Sequence, residues 1–477
     1  MVKILHISDI HLGGGLAHGR VDPHTGQNTR LQDFVATLGR CIDRAIAEPV
    51  DLVLFGGDAF PDATPAPLIQ GAFAEQFCRL AEAQIPTVLL VGNHDQYAQG
   101  QGGASLSIYR TLGVRGFVVG DRLATHRLTT AAGPVQVVTL PWLTRSTLLT
   151  KRETEGLSME EVSRLLLDRL RLALEGEIRR LDPEIPTVLL AHVMTDTARL
   201  GAERLLGVGT GFVVPLGILA RPEFDYVALG HVHCHQSLNG DRLPPVVYPG
   251  SIERVDFSEE LEEKGVVLIE IQPSPTDRDR RVTQWTFCPL PVRRFHTLRV
   301  DLTEAADPQA TLLAAIAPEK VEDAVVRLVY RIRPESLPQL DLNAIHERLA
   351  IAHTYSIRPD LVSQLARPRL PELGGSGGSL DPLSALGVYL TSREDLAPLR
   401  ADLLRAAQDL LHEDAPADWS DHPSPPAIAT ATATLDPEPP TPDLDADLGA
   451  AIAPDPDAEA DPAADPTADP AEQLRLL

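Results

Sequence analysis

The 477-residue chain is poor in cysteine, has no long apolar run and is short of positive charge. Its four cysteines, Cys41, Cys78, Cys234 and Cys288, stand far apart and form no CxxC pair. That argues against a disulfide framework and leads us to expect a cytoplasmic protein with free thiols. No run of eighteen or more apolar residues occurs, so no membrane-spanning helix is expected. The start, Met1-Val2-Lys3-Ile4-Leu5-His6, runs directly into strand-like sequence and lacks the apolar core and cleavage site of a secretory leader. The formal net charge is −25, and residues 413–477 hold sixteen acidic residues against one Arg, so −15 of it lies there. The rest of the chain is still acidic, which is not the footprint of a protein that grips nucleic acid unaided.

What is present is a repeated plan. Val2–Asp9, Asp51–Asp58, Thr87–Asp95, Val135–Trp142, Thr187–Asp196 and Asp225–His233 are short apolar runs ending in polar residues and glycines. Such runs suit strands buried on both faces. Helical patterns lie between them: Leu31, Phe34, Val35 and Leu38 in one segment, Leu165, Leu166, Leu167, Leu170 and Leu172 in another. Strands alternating with helices predict an α/β fold with its site at the carboxyl ends of the strands.

Five of the six strand ends carry metal-binding residue types: Asp9 and His11; Asp58; Asn93, His94 and Asp95; His192; and His231 and His233. A single buried histidine is more often a satisfied core residue. Burying five such clusters without compensation would cost several kcal/mol per group, about 2–7 for a polar one. A shared metal centre compensates all of them. At i and i+2 on a strand, Asp9 with His11 and His231 with His233 would point the same way. Hard oxygen donors mixed with imidazole suit Mn²⁺ or Fe²⁺, with Zn²⁺ also compatible. Seven side chains are too many for one ion and about right for two. Two such ions can clamp the attacking and leaving oxygens of an in-line displacement at phosphorus.

The order DxH, GD, GNHD, H, GHxH resembles the calcineurin-like metallophosphoesterases over residues 9 to 233. The segments Tyr248–Glu260 and Glu263–Ile271, with Tyr-x-Gly-Ser, Phe-x-Glu and Lys-Gly, are similar to the SbcD-type nuclease subunits of that superfamily, relatives of the eukaryotic double-strand-break repair nuclease. The resemblance implies an α/β fold, a four-layer αββα sandwich with a small α+β capping domain, here followed by a disordered tail. It implies two divalent ions, with Mn²⁺ the leading choice. Asp9, His11 and His233 would bind the first, Asn93, His192 and His231 the second, and Asp58 would bridge. His94 would protonate the leaving oxygen or stabilise charge on the phosphate, oriented by Asp95. It also implies a 3′–5′ double-strand exonuclease and single-strand endonuclease that processes DNA ends and hairpins. Its partners would be an SbcC-like SMC/ABC-type ATPase, double- and single-stranded DNA, and a second copy within a heterotetramer; it would be nucleoid-associated, with no membrane. Some relatives place a histidine after GDAF where this chain has Pro61. His235 matches no ligand. A stand-alone phosphoesterase acting on nucleotides is the alternative, and a structural adaptor a third reading.

The expected organisation is a nuclease domain (1–272), a Pro-marked connector (273–293), a capping and DNA-binding domain (294–370), a Gly/Ser linker (371–379), a helical docking segment (380–412) and an acidic Pro/Ala/Asp-rich tail (413–477). Arg327, Arg331 and Arg333 alternate with apolar residues and form a candidate DNA-facing strand surface. Asp381-Pro382 and then Thr391 with Glu394 mark helix starts. Leu396, Leu399, Leu403 and Leu410 recur at helical spacing as a candidate docking stripe for the ATPase.

Overall fold

The computed structural model describes residues 1–97, 103–144, 154, 156–199, 201, 213–275, 281–362, 382–391, 396 and 399–412. Met1–Val362 form one compact unit, and the described part of Ser363–Gln473 belongs to another.

All six apolar runs form strands. The first sheet has the order β14-β13-β1-β2-β3-β4: β1 (Val2–Ile7), β2 (Leu52–Phe55), β3 (Thr87–Leu90) and β4 (Phe117–Gly120) are parallel, and β13 (Gly265–Pro273) and β14 (Arg281–Pro289) add antiparallel strands. The second sheet has the order β11-β12-β10-β7-β6-β5, from β5 (Ala124–Thr130), β6 (Gly133–Leu140), β7 (Thr187–His192), β10 (Tyr226–Gly230), β11 (Gln236–Ser237) and β12 (Val246–Tyr248). Between them in sequence, β8 (Met194–Thr195) and β9 (Val213–Val214) pair as a short ribbon.

Three apolar clusters show the layering. Val2, Ile4, Leu52, Leu54 and Val88 of the first sheet meet Val135, Val137, Val188, Leu190 and Ala228 of the second in one core. Leu5, Ile7, Val53, Phe55 and Leu89 face outward onto α1 (Thr29–Ala47) and α2 (Pro67–Glu82). Helix α3 (Ser107–Thr111) follows on that side, through Tyr109. The outer face of the second sheet is covered by α4 (Met159–Ile178), through Leu170, Leu174 and Ile178, and by α5 (Leu216–Leu219). The order is therefore α, β, β, α. Strands buried on both faces explain why the apolar runs were continuous rather than alternating.

The helices start where side chains can cap free amides. Asn28 accepts from the Arg30 amide at the head of α1, and Ser158 and Glu161 form a reciprocal capping box on α4. In α1, Leu31, Phe34, Leu38, Cys41, Ile42 and Ala45 are buried, the one-sided pattern of a helix lying on a sheet.

One expectation is corrected here. The stretch read as a connector, 273–293, carries β14, which pairs with β13 from Gly265↔Pro289 to Pro273↔Arg281. The prolines that suggested a break sit at or beyond the strand ends. β14 is an edge strand, where a missing N–H is tolerated.

A smaller sheet follows within the same unit: β15 (Phe295–Asp301), β16 (Val325–Ile332) and β17 (Thr354–Leu361), all parallel, with β16 central. Helices α6 (Pro308–Ala315), α7 (Pro318–Val321) and α8 (Leu342–Leu349) lie between its strands in sequence, and Leu312, Val321, Ile345 and Leu349 join its core. The second unit contributes α9 (Pro382–Thr391) and α10 (Arg400–His412). Arg400 donates to the Leu390 carbonyl and Leu390 is buried, whereas Leu399 is 52% and Leu403 40% exposed. Leu396 is half-buried. Glu394, the linker, the tail and the side chain of Leu410 lie outside the described residues. Among the described residues no helix is long and apolar enough to cross a membrane.

His6 shares the pleat of Val2 and Ile4 and is fully buried between the sheets, edge-on to Tyr226. Burial lowers its imidazole pKa to about 3. The unfolded chain takes up that proton near pH 6.5 and the folded one does not. Stability is therefore full above pH 6.5 and falls as the pH drops toward 3. His6→Leu should flatten this acid limb by up to about 1.4 kcal/mol per pH unit, read from urea unfolding between pH 6 and 4.

Candidate metal centre

The predicted residues converge at the carboxyl ends of strands from both of the facing sheets. Asp9 and His11 follow β1, Asp58 follows β2, Asn93 to Asp95 follow β3, His192 ends β7, and His231 and His233 follow β10. The alternation in DxH and GHxH has a different cause from the one expected. Asp9 (φ 51°), His11 (φ 45°), Asp58 (φ 58°) and His231 (φ 103°) all lie beyond the strand ends at positive φ. Tight left-handed bends, not a strand pleat, turn these side chains inward. Such conformations cost about 1–3 kcal/mol each and cluster at functional sites. The motif glycines make room for the bends. A Cβ on Gly92 would lie 2.1 Å from Asp58 Oδ1, and one on Gly230 would lie 2.2 Å from the Gly56 carbonyl.

Ligand-type atoms gather in two main trios, each within 4.8 Å: Asp9, His11 and His233; and Asp58, His192 and His231. Asp58 Oδ2 lies 3.7 Å from His11 Nε2 and 3.3 Å from His192 Nε2, between the trios. Asn93 Oδ1 is 2.9 Å from both His192 Nε2 and His231 Nδ1. A third grouping joins His11, Asp58 and His94. Asp9 is fixed by Ser8, whose hydroxyl donates at 2.6 Å, and by the His231 amide at 3.0 Å.

The hydrogen bonds around the imidazoles test whether cations fit. His192 donates through Nδ1 to the Gly56 carbonyl at 2.7 Å, and His233 through Nδ1 to Glu259 Oε1 at 2.7 Å. With Nδ1 engaged, Nε2 is the nitrogen each ring turns toward the ligand cluster. The His233 Nε2 faces His11 Nε2 at 3.0 Å, and the His192 Nε2 faces Asn93 Oδ1 and Asp58. Lone pairs turned on one another repel unless a cation or a proton stands among them. The donor set of carboxylates, an amide oxygen and imidazoles fits divalent transition ions.

The side chains alone already prepare this charge. Burial opposes ionisation of Asp58, but the neighbouring His192 and His11 hold its carboxyl far below the usual range. Burial likewise works against charging His192, yet Asp58 lifts it to about 9. His11 is pushed well below its ordinary value by burial and the adjacent His233, and His231 down to about 3 by burial and His192.

Two predicted roles need revision. Asp95 does not orient His94. It is fully buried and accepts from the amides of Asp58 (2.9 Å), Gly92 (2.9 Å) and Ala59 (3.0 Å) and from Ser105 (3.2 Å), so it ties the β2 and β3 loops together. Burial and Asp58 raise its pKa to about 6. His94 is held instead by the Pro61 carbonyl, which accepts from Nδ1 at 2.8 Å, while the His94 amide donates to Asp58 Oδ1 at 2.9 Å. A backbone group does this work, so no side-chain pattern could reveal it. The second revision concerns the arginines. Arg327 lies with its guanidinium 4.2 Å from the Phe257 ring centre and donates to Thr297. Arg331 faces Asp360 and Arg333 pairs with Glu304. The predicted alternation holds, with Leu328, Tyr330 and Ile332 buried, but β16 is central, so β15 and β17 supply partners for Arg327 and Arg331, while Arg333 finds Glu304 beyond the strand ends.

Sequence reasoning missed the residues behind the centre. Trp142, at the one strand end without a ligand, packs its ring 4.8 Å from that of His231. Glu259 and Lys264 are buried as an ion pair at 2.8 Å behind His233. Both lie in the Phe-x-Glu and Lys-Gly segments noted above, and a lysine directly before an apolar strand was the available signal. His235 stacks on Phe287 (4.0 Å, 12°) and donates through Nδ1 to the Tyr248 carbonyl, away from the ligand set.

Residues 2–235, just under half of the chain, match the family model described as calcineurin-like phosphoesterase, a similarity that supports a hydrolase acting on phosphoesters. Among curated relatives, the D subunit of the nuclease SbcCD from Staphylococcus epidermidis is 26% identical over 303 residues, which is 63% of this chain and 73% of that one. Among solved structures, TT1561 of Thermus thermophilus is 15% identical and covers 59% of this chain and 98% of its own, with a TM-score of 0.30. A dimetal phosphatase from Danio rerio is 11% identical, with 56% and 92% covered and a TM-score of 0.30.

Proposed function

We propose that this chain is the nuclease subunit of a complex with an SMC-like ATPase, cleaving DNA phosphodiesters at a centre of two divalent ions, with Mn²⁺ the leading choice. The observation that carries this is the pair of trios with Asp58 Oδ2 within reach of both, 3.7 Å from His11 and 3.3 Å from His192, read beside the 26% identity to an SbcCD nuclease subunit. Asp9, His11 and His233 would hold one ion, Asn93, His192 and His231 the other, and Asp58 would bridge. When bound, the ions supply a hydroxide nucleophile at neutral pH and neutralise charge on the phosphate.

The chain's own residues do the rest. His192 and His233 have their Nδ1 protons engaged by Gly56 and Glu259, which leaves Nε2 as the nitrogen each would offer to an ion. His94, half-buried and with its ring edge-on to His11 at 5.0 Å, has Nδ1 fixed by Pro61. Its Nε2 is then the atom that delivers a proton to the leaving oxygen.

DNA contact is assigned to the third sheet, with Arg331 and Arg333 joined by the exposed Arg299 and Arg358, which share a register row with Val329 and so the Arg327–Arg331 face. The exposed Ile108 and Leu112 near α3 suit a second copy. The ATPase would dock on Leu399 and Leu403. Leu399→Asp with Leu403→Asp should abolish co-purification with that partner at unchanged metal content; retained co-purification would place the stripe's role elsewhere.

The test of the whole reading is an assay with and without the ATPase, on linear duplex DNA and on a small phosphoester, in Mn²⁺ and Mg²⁺. DNA cleavage that depends on the divalent ion supports it. Turnover of the small ester with no DNA cleavage under any condition overturns it in favour of a stand-alone phosphoesterase.

A further inference from the structure

Glu259 lies in a one-turn helix, Phe257–Glu259, whose successive residues point to different parts of the molecule. Glu259 itself, 2% exposed, accepts the Nδ1 proton of His233 at 2.7 Å. Its other oxygen accepts from Lys264 Nζ at 2.8 Å and from the Val255 amide at 3.0 Å. Lys264, 1% exposed, also donates to the His233 carbonyl at 3.2 Å. His233 is thus held by both its ring and its backbone. Two residues earlier, Phe257 faces the third sheet. Its ring meets Phe295 edge-on at 5.0 Å and His18 at 5.3 Å, and carries Arg327 at 4.2 Å. One residue later, Glu260 accepts from the Thr297 amide at 2.8 Å and from its hydroxyl at 2.6 Å. Thr297 in turn accepts from Arg327.

We infer that this turn is a positioning device: Glu259 sets the tautomer and aim of His233, and the third sheet, through Arg327 and Thr297, holds the turn in place. Residues that touch no ligand then govern metal affinity at the Asp9–His11–His233 position. The inference rests on the metal-centre reading above and adds a role for the cap sheet that DNA contact does not require. A carboxylate behind a ligating histidine fixes ring orientation and raises basicity, and its loss typically costs about 10–100-fold in metal affinity. Coupling through a packed contact is smaller, about 2–30-fold.

The experiment titrates Mn²⁺ calorimetrically into the full-length protein and into Glu259→Gln, Arg327→Met and, as a cap control, Arg294→Met, whose native contacts are to the Glu319 and Glu322 carbonyls. The expected result is two equivalents in the native chain. One of them should weaken about 10–100-fold in Glu259→Gln and about 2–30-fold in Arg327→Met, with the other equivalent and the Arg294→Met isotherm unchanged. Native isotherms in both test variants, or equal weakening of both equivalents, overturn the inference while the metal-centre reading stands. If the native chain binds no Mn²⁺, that reading fails, and ¹⁵N-histidine spectra decide the rest. An Nδ1-protonated His233 that persists in Glu259→Gln overturns the positioning role, and its conversion to a tautomer mixture in both variants supports it.

Discussion

Asp58→Asn should cut DNA cleavage by about 10³-fold or more and leave the purified protein with at most one divalent ion per chain. The magnitude follows from the several kcal/mol that a metal pair supplies to the transition state. Asn is the informative replacement. It tolerates the left-handed backbone that Asp58 adopts (φ 58°). It also keeps an oxygen for the His94 amide, which donates to Asp58 Oδ1 at 2.9 Å. What it removes is the charge lying 3.3 Å from His192 and 3.7 Å from His11. Because that charge is what lifts His192 to about 9 against the effect of burial, the variant's His192 should also titrate lower. Metal analysis and His-ring spectra together check both consequences. Two tightly bound ions in Asp58→Asn would rule out the bridging assignment.

His94→Gln should behave differently. It should lower kcat by about 10²–10⁴-fold, the range of general acid–base catalysis, with two ions still bound. His94 sits half-buried, engaged through its ring Nδ1 by the Pro61 carbonyl and through its backbone by Asp58. Gln can still donate to that carbonyl but has no proton to transfer to a leaving oxygen. A substrate whose leaving group needs no protonation should recover most of the lost rate in this variant. Equal loss on both substrates would instead assign His94 to phosphate charge stabilisation.

Pro61 shows where reading a sequence stops. The residue type at that position has no titratable group, yet its carbonyl fixes His94 because the loop after β2 brings it to 2.8 Å. Asp95 errs in the opposite direction. It looked like a partner for its neighbour His94, but three backbone amides claim its oxygens, since loops that cross at a sheet end leave amides without strand partners. The connector is a third case: prolines mark the ends of an edge strand as readily as they mark a linker, and only the pairing of β14 with β13 separates the two.

The chain's sequence by itself determined the six buried strands, two of the helices over them, α1 and α4, and the seven ligand-type residues, because continuous apolar runs and costly polar clusters are local signals. Tertiary structure alone decided the positive-φ bends that aim Asp9, His11, Asp58 and His231, the Pro61 carbonyl that holds His94, and the Glu259–Lys264 support behind His233. The physical reason is that these depend on which backbone groups of distant loops are left to pair when two sheets close on each other, and no spacing along the chain encodes that.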